Sequence, residues 1–267
     1  MLRHTFVHVP GIGPKKERDL WSRGFVDWDE FARAHPAGPW RDLILERLDP
    51  DRAAADLPAR EAWRLAAEYA GATLFLDIET TGLALDGDTV TCVGVSDGTT
   101  ARAFVRGVDL DRFPDALGGV KLLVTYNGAS FDLPVLARAF PRVDFSRFHH
   151  VDLRFPLRRL GLKGGLKGVE RALGIARPDE LQGVDGFFAV RLWQAHRAGR
   201  EGALETLVSY CLEDVVNLEP LLAHVYRGLA AALPVEAPPL PGRLRPAIPY
   251  RADARLVHEM LWDARPA

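Results

Sequence analysis

The chain has 267 residues, with 34 Lys+Arg against 36 Asp+Glu for a formal net charge of -2, 48% hydrophobic residues and two cysteines, Cys92 and Cys211. Such a length sustains a sizeable core without staples, and the hydrophobic share excludes a mostly disordered chain. Two cysteines exclude a disulfide framework, and the balanced charge confines any nucleic-acid contact to local patches.

Three zones follow one another. Residues 1–71 carry a glycine turn and then helical patterns. Residues 72–232 alternate strand-like and helical segments, and 233–267 form a Pro-rich arm with a short amphipathic piece at Ala252–Trp262. No apolar run approaches the ~20 residues of a spanning helix. Pro10 and Gly11 interrupt the N-terminus before a signal-peptide core develops, so a cytoplasmic protein is expected.

In the middle zone, residues 73–80 read as a strand buried on both faces. Strands over 89–96 and 100–106 follow, joined through Asp97-Gly98 in a hairpin. A further strand is expected at 122–127, a helix at 131–140 with Pro134 in its first turn, and a fifth strand near 149–154. Residues 166–173, 186–197 and 204–229 have helical spacing. This pattern predicts an α/β domain with a mixed sheet flanked by helices and preceded by a small, mainly helical region.

The acidic residues carry the chemistry. Asp77 and Glu79 stand two apart in the first strand and therefore share one face. Burying paired carboxylates calls for a proton or a cation, and oxygen donors favour Mg2+ or Mn2+. The alternative is that the strand ends early and both are solvated. Asp132 follows an Asn127-Gly128 turn; the dipole of the next helix favours a carboxylate there in any case. Tyr210 and Asp214 are one helical turn apart, on or beside a stripe that also carries Leu207, Asn217 and Leu218, while Glu213 falls on a different, solvent-directed face.

FLDIETTGL, YNGASFDLPVL and YCLEDVVNL, in this order, resemble the three motifs of the DEDD superfamily of 3′→5′ exonucleases in its Tyr-x-x-x-Asp form, over about residues 73–229. GLKGVERALGI and VDGFFAVRLW are most similar to YprB-type ribonuclease-H-like proteins. The resemblance implies a ribonuclease-H-like fold and phosphodiester hydrolysis with two divalent ions, Mg2+ or Mn2+. It implies that Asp77, Glu79, Asp132 and Asp214 hold the metals and that Tyr210 orients the attacking water. The implied partner is nucleic acid, DNA or RNA, with a single-stranded 3′ end. A catalytically weak binding module and a structure-specific endonuclease are the alternatives.

Asp152 is an extra acid at a strand end, behind His149 and His150, which read as surface or packing residues. Residues 154–177 hold seven basic side chains against one acid, Glu170. Arg158, Arg159, Lys163 and Lys167 are candidates for phosphate contact, together with Asn127; a solvated face is the alternative. Phe155, Phe187, Phe188 and Trp193 are either stacking platforms or core. Gly11-Ile12-Gly13 resembles the hairpin of a helix-hairpin-helix element, with Gly11, Gly13 and Lys15 as candidate contacts to one phosphate. Domain packing accounts for that segment equally well.

Overall fold

Five strands form one mixed sheet in the order β3-β2-β1-β4-β5. They are β1 (Thr73–Thr80), β2 (Val90–Ser96), β3 (Ala101–Val105), β4 (Leu122–Thr125) and β5 (His149–Asp152). The structure is a computed structural model and describes residues 1–35, 37–82 and 89–262. β1, β2 and β3 pair antiparallel, while β4 and β5 run parallel to β1. All five expected strands are present. The β2–β3 hairpin closes where Asp97 accepts the amides of Thr99 and Thr100, both at 2.8 Å, and Gly98 takes a φ of 84°.

β1 is central, apolar on one face and carrying Thr73, Phe75, Asp77 and Glu79 on the other. Leu74, Leu76 and Ile78 point into a core with Val93, Phe104, Phe113 and Leu123. The 3-10 segment Leu110–Leu117 and, further along, the helix over Asp132–Ala139 cover that face. The opposite face of the sheet packs against the helices over Gly186–Arg197, Ala203–Val216 and Leu218–Ala230, and on that side Phe75 joins a core that continues into the N-terminal region through Phe6, Phe31 and Trp63.

Among the described residues, eleven further α-helices precede or follow the one over Asp132–Ala139. The N-terminal region contains α1 (Pro14–Ser22), α2 (Trp28–Ala34), α3 (Pro39–Leu45), α4 (Pro50–Asp56) and α5 (Leu65–Glu68). Pro14, Pro39 and Pro50 open three of these, where a missing amide costs nothing. The helix over Asp132–Ala139 is α6. There follow α7 (Arg154–Arg159), α8 (Gly165–Ala172), α9 (Gly186–Arg197), α10 (Ala203–Val216), α11 (Leu218–Ala230) and α12 (Ala254–Trp262). The side chain of Asp185 caps α9 on the amide of Phe188.

The helical pattern over 204–229 is two helices, α10 and α11, meeting at Asn217. Pro220 explains the break, because it offers no amide to the carbonyl of Val216. The Pro-rich segment has no regular structure and lies on its own chain. Tyr226 donates to the carbonyl of Pro238 at 2.7 Å, and Leu256, Val257 and Met260 of α12 enter the core beneath α9 and α10.

A buried ion network fastens the N-terminal region. Arg64 donates to Glu17 at 2.9 and 3.0 Å and to Glu61 at 3.1 Å, and Glu17 also accepts from Thr5 and the amide of Phe6. The 3-10 turn Leu2–His4 lies ahead of the glycine loop, and α1 follows it. Ile12 is buried, Gly11 and Gly13 are exposed, and Lys16 caps the carbonyl of Gly11 at 2.8 Å. Among the described residues no helix is long and apolar enough to cross a membrane.

Candidate metal centre

The odd-numbered residues of β1 bring Asp77 and Glu79 onto the face beneath α10. Gly94 and Cys92 of β2 stand opposite them. A Cβ at Gly94 would lie 2.8 Å from both Cys211 Sγ and Val215 Cγ2, so the glycine lets α10 settle directly on the sheet. That close approach presents Tyr210, Cys211 and Asp214 to the acids of β1. A carboxylate oxygen from each of Asp77 and Glu79 and the Cys211 sulfur all lie within 4.8 Å of one another.

Asp132 enters from the first turn of α6 and is buried. Asp77, Glu79, Asp132 and Asp214 form one electrostatic cluster. Burial first, and then the charges of Asp214 and Asp132, raise the Asp77 carboxyl well above the usual range. Burial and Asp77 do the same for Glu79. Burial raises Asp132 to about 7, while the amides of Asp132 and Ile78 pull the other way. Burial, and then the charges of Asp214, Glu79 and Asp77, keep the Tyr210 hydroxyl protonated. The neighbouring cations Lys167 and Arg177 thus only partly offset the negative charge of the cluster.

The donor set fits a hard divalent cation. Among the described residues no hydrogen bond reaches the carboxylates of Asp77 or Glu79, whereas the buried Oδ1 of Asp214 meets the Arg177 guanidinium. Carboxylates buried without hydrogen-bond donors are ready ligands for Mg2+ or Mn2+. Cys211 is a protonated core thiol, held so first by its hydrogen bond to Cys92 and then by burial.

Two basic residues from the 154–177 stretch turn inward. Lys167 donates to the Tyr210 hydroxyl, sits 4.3 Å above the Tyr210 ring centroid and lies 3.8 Å from Asp214 Oδ2. Arg177 pairs with Asp214 Oδ1 and holds Glu170 at 2.6 and 2.7 Å. Asn217 donates to the same Glu170 at 2.9 Å. Glu213 is not solvated. It is buried and pairs with Arg245 of the arm, which also donates to Asn217 at 2.6 Å. Sequence spacing gives no sign of that partner, which stands 32 residues further along the chain.

Asp152 is spent on backbone. It accepts the amides of Asn127 at 2.7 Å, Ala129 at 3.1 Å and Arg154 at 3.1 Å. It thereby shapes the loop that precedes Asp132. Asn127 takes a φ of 68°, and Gly128 is required because a Cβ there would meet Thr125 Oγ1 at 2.3 Å. His150 bonds Thr125 at 2.9 Å and His149 stacks on Tyr69, both packing roles.

Three of the other cations, Arg154, Arg158 and Lys163, line a separate cleft of about 550 Å³ with Tyr126, Asn127, Gly164 and Gly165, with no acid in its wall. Arg154 also donates to the Asn127 side chain. Arg159 turns away, to the carbonyl of Arg60 at 2.7 Å and to Glu61 at 3.5 Å. Phe188 and Trp193 are core, whereas Phe155 and Phe187 are exposed. Gly11 and Gly13 of the glycine loop and Lys15 of α1 are exposed and are not part of the cleft wall.

Residues 74–226 match the family model of the RNase_H superfamily. No curated protein matches the chain. Among solved structures, the chain is similar to the family B DNA polymerase from the hyperthermophilic archaeon Pyrobaculum calidifontis, with a TM-score of 0.46 and 19% identity. That likeness covers 58% of this chain and 25% of the polymerase chain.

Proposed function

The chain belongs to the RNase H superfamily, and on that footing we propose that it is a divalent-metal-dependent nuclease of the DEDD type, YprB-like, that shortens nucleic acid from the 3′ end. The observation that carries the proposal is the gathering of Asp77, Glu79, Asp132 and Asp214 into one charge cluster beneath α10. Residues 72–232 form the catalytic unit in this proposal, with 1–71 and 233–267 as its flanking parts.

The four carboxylates would hold two ions, Mg2+ or Mn2+, which supply acidity to the attacking water and offset charge on the phosphate. Tyr210 keeps its proton and is a poor base. Its role in the proposal is to orient the nucleophile through its hydroxyl. The cleft of Arg154, Arg158 and Lys163, with Asn127 at its rim, guides the strand by its phosphates. The exposed Gly11, Gly13 and Lys15 offer a second phosphate contact.

The test uses purified protein with 5′-labelled and 3′-labelled single strands of DNA and RNA, in Mn2+, Mg2+ or EDTA, beside Asp77→Ala. Stepwise shortening from the 3′ end that needs metal and Asp77 supports the proposal and selects the sugar. Cleavage of a circular strand would replace exonuclease by endonuclease. Binding without cleavage in any metal would leave a nucleic-acid-binding module.

A further inference from the structure

The inward turn of Lys167 and Arg177 is not explained by a strand-tracking role. Both leave the cleft wall and meet the acids instead. Arg177 is nearly buried, its side chain 7% exposed, and it lies between two buried carboxylates, Glu170 and Asp214. Lys167 lies over Tyr210 and within 3.8 Å of the other oxygen of Asp214. Both oxygens of Asp214 therefore face a cation of the protein itself. Asp77 and Glu79 feel the Lys167 charge from a greater distance.

We propose that Arg177 and Lys167 are resident counter-ions, which neutralise the acidic centre in the absence of metal and must yield Asp214 before a divalent ion can be held by it. The inference rests on the metal-site proposal above and adds a competition to it. Without such cations the carboxylates would repel one another on a buried face of the sheet. With them, the metal-free fold is held together and metal affinity is reduced by the same contacts. Glu170 and Asn217 fix the position of Arg177, so the guanidinium is held at the mouth of Asp214 rather than free to swing away.

The Arg177 contact is the more buried and the stronger of the two. Removing it should tighten metal binding about tenfold, and removing Lys167, whose side chain is 26% exposed, about threefold. The experiment is calorimetric titration of Mn2+ into metal-free wild type, Lys167→Met, and Arg177→Met combined with Glu170→Gln, so that no unpaired acid remains. Thermal melting of each protein with and without Mn2+ accompanies it. The expected signature is opposed: a lower melting point without metal, a smaller Kd for Mn2+ and a larger rise in melting point on adding it. Lys167→Met keeps the test available if the double variant does not fold. Wild type that binds Mn2+, with variants that bind it equally or more weakly, would overturn the inference alone. Wild type that binds no Mn2+ would overturn the metal site and the inference together.

Discussion

Gly94→Ala isolates the contact that sets the height of α10 above the sheet. The added methyl would stand 2.8 Å from Cys211 Sγ and from Val215 Cγ2, and 3.3 Å from the carbonyl oxygen of Cys211. Carbon atoms rest at about 3.5–4.0 Å, so the helix must lift by roughly 1 Å or the strand must bow. Overpacking of this kind costs about 1–3 kcal/mol. A chain of this size loses about 2–4 °C of melting temperature per kcal/mol. The catalytic loss should be greater, because Tyr210 and Asp214 ride on the displaced helix and a shift of ~1 Å at a reacting centre costs about 100-fold. Urea unfolding measures the first effect and metal-dependent cleavage the second. Gly71→Ala is the control, since nothing lies within 4 Å of a Cβ there. A Gly94→Ala protein with the stability and cleavage rate of the Gly71→Ala control would refute the argument that this glycine seats the site.

Tyr210→Phe should lower kcat with little change in KM, because it removes an orienting hydroxyl and almost no packing; an unaltered kcat would take Tyr210 out of the mechanism. In EDTA, stability should fall as pH rises from about 4 through 7. Asp132 is raised to about 7 when folded, so the native state holds a proton that the unfolded chain has released, and that advantage is lost as pH passes the folded value. Denaturant midpoints across this range check the sign, and Asp132→Asn should flatten the decline. The pair Arg158→Glu and Lys163→Glu should weaken binding of a labelled strand to the Asp77→Ala protein and flatten its salt dependence; an unmoved salt slope would return the cleft to plain solvated surface.

Much of the scaffold was legible because its signals are local. The apolar run of 73–80, the Asp97-Gly98 turn and the Asn127-Gly128 turn each encode their geometry within a few residues, and period-two alternation puts Asp77 and Glu79 on one face. Pro220 was equally visible as a break in the 204–229 pattern, yet the continuous apolar stripe on both sides of it masks the interruption. The long-range partners have no such signal. Lys167 and Arg177 read as members of a basic run, and only the folded chain turns Lys167 of α8 and Arg177 of the segment after it to Asp214. Glu213 reads as solvated because Arg245 lies far along an arm of irregular backbone. Asp152 reads as a spare acid until the loop that it closes has folded around it.

The central claim is that the four acids are a divalent-metal site. The most direct measurement is diffraction from crystals soaked in Mn2+, at a wavelength where manganese scatters anomalously, for wild type and for Asp77→Ala. The account predicts anomalous density bounded by the carboxylates of Asp77, Glu79, Asp132 and Asp214 in wild type, and its loss in the variant. Well-ordered carboxylates with no such density between them, at Mn2+ concentrations that support cleavage, would contradict it.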